Sequence, residues 1–187
     1  MLAYVFWHWP YPNVDRESYQ DDLMKFHRSL ASAKPNGFQY SVVFRIKGAP
    51  WIGKTAEAYE DWYLVEGSCD LDSLNDAAIS HSHKDSHDRV ALRAAGGAGG
   101  LYRFRTGQVN VPQSEFASWF SKPTGISYEM FYDSLSQWTT QPGVGLWGRQ
   151  MVLGPTPEFC LLSPERINLP ETLNGMTLGL EPLWSGT

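Results

Sequence analysis

The sequence predicts an α+β protein built of two similar halves, each an antiparallel sheet with helices on one side, and three observations predict it. First, the stretch Trp7 to Tyr19 (Trp-His-Trp-Pro-Tyr-Pro-Asn-Val-Asp-Arg-Glu-Ser-Tyr) is echoed from Trp119 to Phe131 (Trp-Phe-Ser-Lys-Pro-Thr-Gly-Ile-Ser-Tyr-Glu-Met-Phe). In both, an aromatic run enters a proline-bearing turn, and a helix-capping residue, Asp15 or Ser127, is followed four residues on by an aromatic. Second, the echo continues downstream: Phe38 to Ile46, a Lys-Gly-Ala-Pro turn and Tyr59 to Val65 are answered by Gly145 to Leu153, a Gly-Pro-Thr-Pro turn and Glu158 to Leu162. Internal similarity at long spacing is settled before other assignments, because it decides the whole architecture. Third, 187 residues with 42% hydrophobic, 19% charged and 14% aromatic content make a chain long enough to bury a sizeable core and too apolar to be disordered.

Taken in order, Leu2 to Trp9 reads as a strand that Pro10 and Pro12 end by removing backbone donors. Asp15 caps a helix reaching about Ala33, with Tyr19, Leu23, Phe26 and Leu30 on one stripe at helical spacing. Lys34-Pro-Asn-Gly37 stops it. Phe38 to Ile46 and Tyr59 to Val65 are rich in aromatic and β-branched residues, as strands are, and the loop between them carries Trp51, well placed to cover something. Asp70 caps a second helix from Leu71, continuous or broken, running to Ala95, where Ala94 to Gly100 ends it; Leu101 to Arg105 follows as a short fourth strand. The second half predicts a strand at Glu115 to Phe120, a helix from Ser127 to about Thr139, strands at Gly145 to Leu153 and Glu158 to Leu162, one helical turn near Leu169 to Leu173 and an edge strand at Met176 to Leu180.

This order, βαββαβ and then βαββ with a thinner remainder, is ferredoxin-like. It divides the chain into an N-terminal half, residues 1–107, and a C-terminal half, residues 108–187, related by a pseudo-two-fold and packed as one unit. Two such halves resemble the dimeric α/β-barrel superfamily, in which two antiparallel sheets face each other and helices cover the outside. The resemblance implies small-molecule chemistry of the kind found there, in cofactor-free monooxygenases, EthD-like and NIPSNAP-like proteins, small lyases and cyclases, and haem-handling enzymes. It rests on element order and not on a catalytic motif, so it speaks to fold before activity.

Other classes are disfavoured. A net charge of −5 without a basic run does not suit nucleic acid, which needs a basic stripe to neutralise phosphates. No apolar stretch approaches the roughly 18 residues of a membrane span. Two cysteines, Cys69 and Cys160, without metal-type spacing suit a reducing cytoplasm. Gly96-Gly-Ala-Gly-Gly100 precedes a strand, where a dinucleotide loop would have to follow one. His83 and His87 share a helix face at i and i+4, next to Asp88 and near His81, but the segment is polar and reads as a solvated helix rather than a metal site.

Strand residues alternate faces. The set Tyr4, Phe6 and His8, answered by Phe116, Ser118 and Phe120 with Lys122 beyond, is aromatic with scattered polar groups, and it is expected to face the space between the sheets; the tryptophan set, Trp7, Trp9 and Trp119, is expected under the helices. The same sorting puts Arg45, Asp61 and Tyr63 with His8. An aromatic cavity with a few convergent polar groups is the usual form of a small-molecule site. His8, Tyr63 and Asp61 are therefore the candidate catalytic residues, and Arg45, Tyr4, Phe6, Phe120, Lys122 and Arg149 the candidate substrate-binding ones. Each has a plainer reading: His8 as a rim histidine, Arg45 and Asp61 as a cross-strand ion pair, His27 as a helix residue satisfied locally. The expectation is an enzyme acting on a hydrophobic or aromatic molecule by acid/base chemistry without a cofactor or metal, as an oxygenase, lyase or cyclase, with Arg45 holding an anionic group. A homodimer is its candidate assembly. The alternatives are a non-catalytic ligand-binding or scaffold protein of the same fold, or a haem binder.

Overall fold

The computed structural model describes residues 1–52, 57–150 and 156–186. Among these residues nine strands and four helices follow one another as β1 (Leu2–Pro10), α1 (Arg16–Ala33), β2 (Phe38–Ile46), β3 (Ala58–Val65), α2 (Leu71–Ile79), α3 (His81–Ala91), β4 (Ala94–Gly107), β5 (Phe116–Phe120), α4 (Tyr128–Thr139), β6 (Gly145–Arg149), β7 (Phe159–Ser163), β8 (Met176–Gly179) and β9 (Glu181–Gly186). Among the described residues no helix is long and apolar enough to cross a membrane.

All nine strands form one antiparallel sheet in the order β8-β5-β7-β6-β4-β1-β3-β2-β9. The order within β4-β1-β3-β2 recurs in β8-β5-β7-β6: fourth, first, third, second. The contact between β4 and β6 joins the two sets on one side. On the other, β8 and β9 lie at opposite ends of the order yet are separated in the chain by Leu180 alone, so one kinked segment pairs with β5 and then with β2 and bends the sheet into a nearly closed barrel. The architecture is the expected α+β barrel with helices outside.

Local chemistry explains the helix starts. Asp15 and Ser127 cap α1 and α4, accepting hydrogen bonds from the backbone N–H of Ser18 (2.9 Å) and Met130 (3.2 Å). Helices α2 and α3 are the broken pair, separated at Ser80, whose extended backbone ends one helix and starts the other. Gly96 to Gly100 lies inside β4 rather than ending a helix. A Cβ at Gly97 would lie 2.5 Å from the Phe6 ring and one at Gly99 2.8 Å from the Tyr4 hydroxyl. The glycines are there so that aromatic rings of β1 can lie flat across the neighbouring strand. The second half has only α4 on its outer face among the described residues, with a 3-10 turn at Glu171–Leu173 after it. The predicted continuation of β6 over residues 151–153 lies outside the described residues.

The faces of the sheet are the reverse of the expectation. Trp7, Trp62, Trp119, Trp147 and Tyr102 fill the inside of the barrel with residues from both halves, including Val5, Phe44, Ala117 and Leu162. The indoles meet edge to face, with centroids 5.2 Å apart for Trp7 and Trp119 and 5.3 Å for Trp62 and Trp147. Trp51, on the loop after β2, closes over them against Trp7 and Trp119. The interior is thus packed, because only large rings fill the centre of a barrel this size. Tyr4, Phe6 and His8 instead lie under α1 to α3, together with Tyr19, Leu23, Phe26 and Leu30. Phe120 lies under α4 with Phe131, Leu135 and Phe159.

One carboxylate sits inside the tryptophan core. Glu60, wholly buried, accepts hydrogen bonds from Nε1 of Trp7 and of Trp62, both at 2.7 Å. Burial pushes its carboxyl up to about 7, against the pull of the two indole N–H groups and with the charge of Asp61 adding to the rise.

Candidate active site

The register of the first half brings the polar residues together. Tyr4 stands opposite Tyr63, Phe6 opposite Asp61 and His8 opposite Tyr59, while Ser41 on β2 stands opposite Tyr63. All project to the helix side. Helix α1 lays Tyr19 and His27 across them, about 12 Å apart at two turns of spacing. Both stand in its buried stripe with Leu23, Phe26 and Leu30.

Asp61 is the hub. Its Oδ2 accepts from His8 Nε2 at 3.1 Å, His27 Nε2 at 3.3 Å and the Tyr63 hydroxyl at 3.0 Å. Each histidine also holds a hydroxyl at its other nitrogen: His8 Nδ1 is 2.7 Å from Tyr19 Oη, and His27 Nδ1 is 2.8 Å from Ser41 Oγ. With Nε2–H committed to Asp61, Nδ1 of His8 can accept from Tyr19 when the ring is neutral and donate to it when the ring is charged. The ring can therefore change protonation state without leaving its hydrogen bonds. Asp61, His8 and His27 are all at most 2% exposed. Burial works to raise the Asp61 carboxyl, but the charge and N–H groups of His8 and His27 outweigh it and hold the group below the usual carboxylate range. Burial and the nearby Asp61 charge push the Tyr63, Tyr19 and Tyr4 hydroxyls up, so these groups stay protonated.

The hub opens on a cavity of about 840 Å³ between β1 and β4 on one side and α1, α2 and α3 on the other. That volume is within the range of small-molecule sites. Its polar end is His8, Tyr19, Asp61 and Tyr63. Tyr4 and Phe6 form one wall, nearly parallel with centroids 6.0 Å apart, and Phe6 lies nearly parallel to the His8 ring at 5.5 Å. Leu23, Leu74, Ala78 and Val90 from the helices and the glycines of β4 line much of the rest, and Asn75 of α2 and His87 of α3 add two further polar groups.

The structure therefore brings His8, Asp61, Tyr63, Tyr4 and Phe6 to one cavity. The other four sequence candidates lie elsewhere. Arg45 shares the helix-side face but sits past the end of α1, where its Nε donates to Glu181 at 2.9 Å and its guanidinium approaches Glu57. Phe120 is core under α4. Lys122 spends its ammonium on the carbonyls of Pro123 and Ile126, bracing the turn before that helix. Arg149 donates to the carbonyl of Thr156 at the far end of β6. Tyr19, His27, Ser41 and His87 also belong to the site or its surroundings; by sequence Tyr19 falls on the helix stripe, His27 is a locally satisfied helix residue and His87 stands on a solvated helix, and none of the four is given a site role. For Tyr19 and His27 the signal was present, since both fall on the apolar stripe of α1. His87 lines the cavity edge, packs on Phe26 and bonds to Asp88, while His83 bonds to Ser29; no cluster able to hold a metal occurs among the described residues.

No protein-family model matches the chain, and no curated protein matches it in sequence. Solved structures do match in shape. A "putative monooxygenase" from Fusobacterium nucleatum superposes over 99% of this chain and 93% of its own with a TM-score of 0.65 at 9% identity. Another from Lactobacillus acidophilus covers 100% and 96% with a TM-score of 0.57 at 10% identity. An "anthrone oxidase-like protein" covers 98% and 92% with a TM-score of 0.54 at 9% identity. The chain has the fold of these proteins, the dimeric α/β barrel, over its whole length.

Proposed function

We propose that this protein is an enzyme that takes a proton from a hydrophobic, aromatic small molecule held between the first-half sheet and helices α1 to α3. The observation that carries the proposal is the convergence of Tyr19, His8, Asp61 and Tyr63 at one end of a mostly apolar cavity. In this reading the chain is two fused half-barrels, 1–107 and 108–187, of which the first supplies the site. The cytoplasm is its proposed compartment, in keeping with two unbridged cysteines.

His8 is the proton acceptor. Asp61 orients the ring through Nε2 and stabilises the imidazolium that forms, and Tyr63 and His27 fix Asp61 in turn. Tyr19 is the relay: its oxygen receives the substrate's proton as its own passes to His8 Nδ1. The raised Tyr19 hydroxyl suits this role, since the group remains a neutral hydroxyl before and after the transfer. Tyr4 and Phe6 hold the flat substrate, and the cavity keeps water from the anion produced.

The names of the similar structures favour oxygenation as the step that follows. An activated CH2 group loses a proton to His8, the carbanion gives its electrons to dioxygen, the resulting peroxide breaks its O–O bond, and CH2 plus O2 becomes C=O plus H2O. The chain's own part is the first proton transfer and the shielding of the anion, with no cofactor required. Lyase or cyclase chemistry would begin with the same transfer.

The test is oxygen uptake and product analysis on a panel of anthrones and hydroxylated polycyclic arenes. Turnover is expected, and His8→Ala should lower kcat/KM by about 10²- to 10⁴-fold in protein that is still folded at the assay temperature, with a lower melting point because buried Asp61 loses a partner. Retained activity in that variant would remove His8 as the acceptor. Tight binding across the panel without any product would make the protein a ligand carrier instead.

A further inference from the structure

Three tyrosines line the cavity, and two of their hydroxyls are spent inside the protein. Tyr19 Oη is shared with His8 Nδ1 at 2.7 Å, and the Tyr63 hydroxyl donates to Asp61 at 3.0 Å. The third, on Tyr4, makes no hydrogen bond among the described residues. Nor is it sealed in: Tyr4 is half-buried, and its hydroxyl, unlike the indole N–H of Trp51 or Trp119, is not cut off from solvent while unbonded. The other polar groups of the lining are committed or peripheral. His8 and Asp61 belong to the hub, His87 turns to Asp88, and Asn75 is exposed. Among the described residues Tyr4 is thus the interior group with an O–H to offer a guest.

Its position suits joint action with the hub. Tyr4 stands opposite Leu101 on β4, but its hydroxyl leans to Gly99, the residue opposite Phe6, where an added Cβ would lie 2.8 Å from it. His8 stands opposite Gly97. The hydroxyl therefore ends two residues along the sheet from the level of His8, roughly 7 Å at about 3.4 Å per residue, and the Phe6 ring lies between Tyr4 and His8. A molecule lying on Phe6 spans that gap when the carbon that loses a proton and the oxygen that takes up the charge are neighbours. Burial, and then the charge of Asp61, push the Tyr4 hydroxyl up, so it stays a donor.

We infer that the Tyr4 hydroxyl binds an oxygen of the ligand and holds the charge this oxygen takes up, which makes the substrate a hydrophobic ketone with an acidic C–H beside its carbonyl. This rests on the proton-transfer reading of the same cavity. The C–H bond breaks, its proton goes to Tyr19 Oη as that group's own passes to His8 Nδ1, and its electron pair moves to the carbonyl oxygen, where the Tyr4 O–H meets it.

The experiment compares 2-tetralone with tetralin, the same two rings with and without the carbonyl, on the full chain and on Tyr4→Phe in the absence of oxygen. Wild-type protein should bind the ketone about three- to tenfold tighter than the hydrocarbon, the worth of one neutral hydrogen bond. In Tyr4→Phe the preference should vanish while the urea midpoint stays unchanged, because no internal hydrogen bond is lost. In D2O the wild-type protein should speed deuterium exchange at C1 of the ketone, and the variant should do so about 10²-fold less. A preference that survives in Tyr4→Phe, or exchange that does not slow, would overturn the role of Tyr4 while leaving the cavity and its proton acceptor in place. A lowered urea midpoint with equal loss of both probes would make the hydroxyl structural and overturn it likewise. Ketone bound to wild-type protein without exchange would overturn the proton-transfer reading and the charge-holding role with it, and failure of both probes to bind would overturn the cavity as a site.

Discussion

Replacing Glu60 by Gln tests whether a carboxyl group enclosed by tryptophan costs the fold stability when it ionises. Its value in the folded protein is about 7, against 4.5 for the ordinary group. Between those two pH values the folded state keeps a proton that the unfolded state has released. The associated stability is therefore fully present below about 4.5 and is lost as pH rises through 7, a loss of roughly 3 kcal/mol at about 1.4 kcal/mol per unit. Asp61, shifted the other way, loses its contribution only at more acid pH and does not overlap this window. Glutamine cannot ionise, but its amide oxygen can satisfy only one of the two indole N–H donors at 2.7 Å, a cost of about 1–3 kcal/mol at every pH. Urea unfolding of both proteins at pH 5, 6, 7 and 8 gives the difference between them, which cancels the other titrating groups. The variant should be the less stable protein at pH 5 and should draw level or overtake by pH 8. A difference that stays constant within about 0.5 kcal/mol, the size of an ordinary surface effect, would refute the enclosure as the cause.

Other outcomes follow from single contacts. Arg45→Ala should leave ligand affinity and kcat/KM within about twofold, since its partners are Glu181 and Glu57 outside the cavity; titration with the best-binding probe measures this, on the scale of exposed ion pairs. Gly97→Ala should cost about 1–3 kcal/mol in denaturant unfolding and weaken probe binding, because the added methyl meets the Phe6 ring at 2.5 Å and the Trp7 carbonyl at 3.1 Å. Asp15→Ala removes the acceptor at the start of α1 and should cost about 1 kcal/mol in thermal or urea unfolding.

Much of this architecture was legible in the residues. The caps Asp15 and Ser127, the aromatic and β-branched runs and the helical stripe of α1 each state a local preference that the packed protein keeps. Alternation along β1 and β3 also sorted His8, Asp61, Tyr63, Tyr4 and Phe6 onto one face. It could not say which side of the sheet the helices would cover, because both faces of β1 are apolar enough to be buried. The tryptophans decided it, since a barrel interior needs their volume, and Glu60 could join them only because two indoles offered it donors. The glycines of β4 misled for a related reason: a run that ends helices in isolation here makes room for rings on the adjacent strand. Closure through β9 was hidden by Pro182 and Gly186, which weaken the strand signal in a segment whose pairing with β2 depends on residues far away in sequence.

The kink at Leu180 bears on self-association. A ring of strands whose two terminal members, of four and six residues, are consecutive in the chain offers a second copy almost no unpaired backbone to extend. Two copies that came together would have to meet through helices and loops, by side-chain fit rather than by adding strand to strand, and the association would be correspondingly sensitive to single surface substitutions.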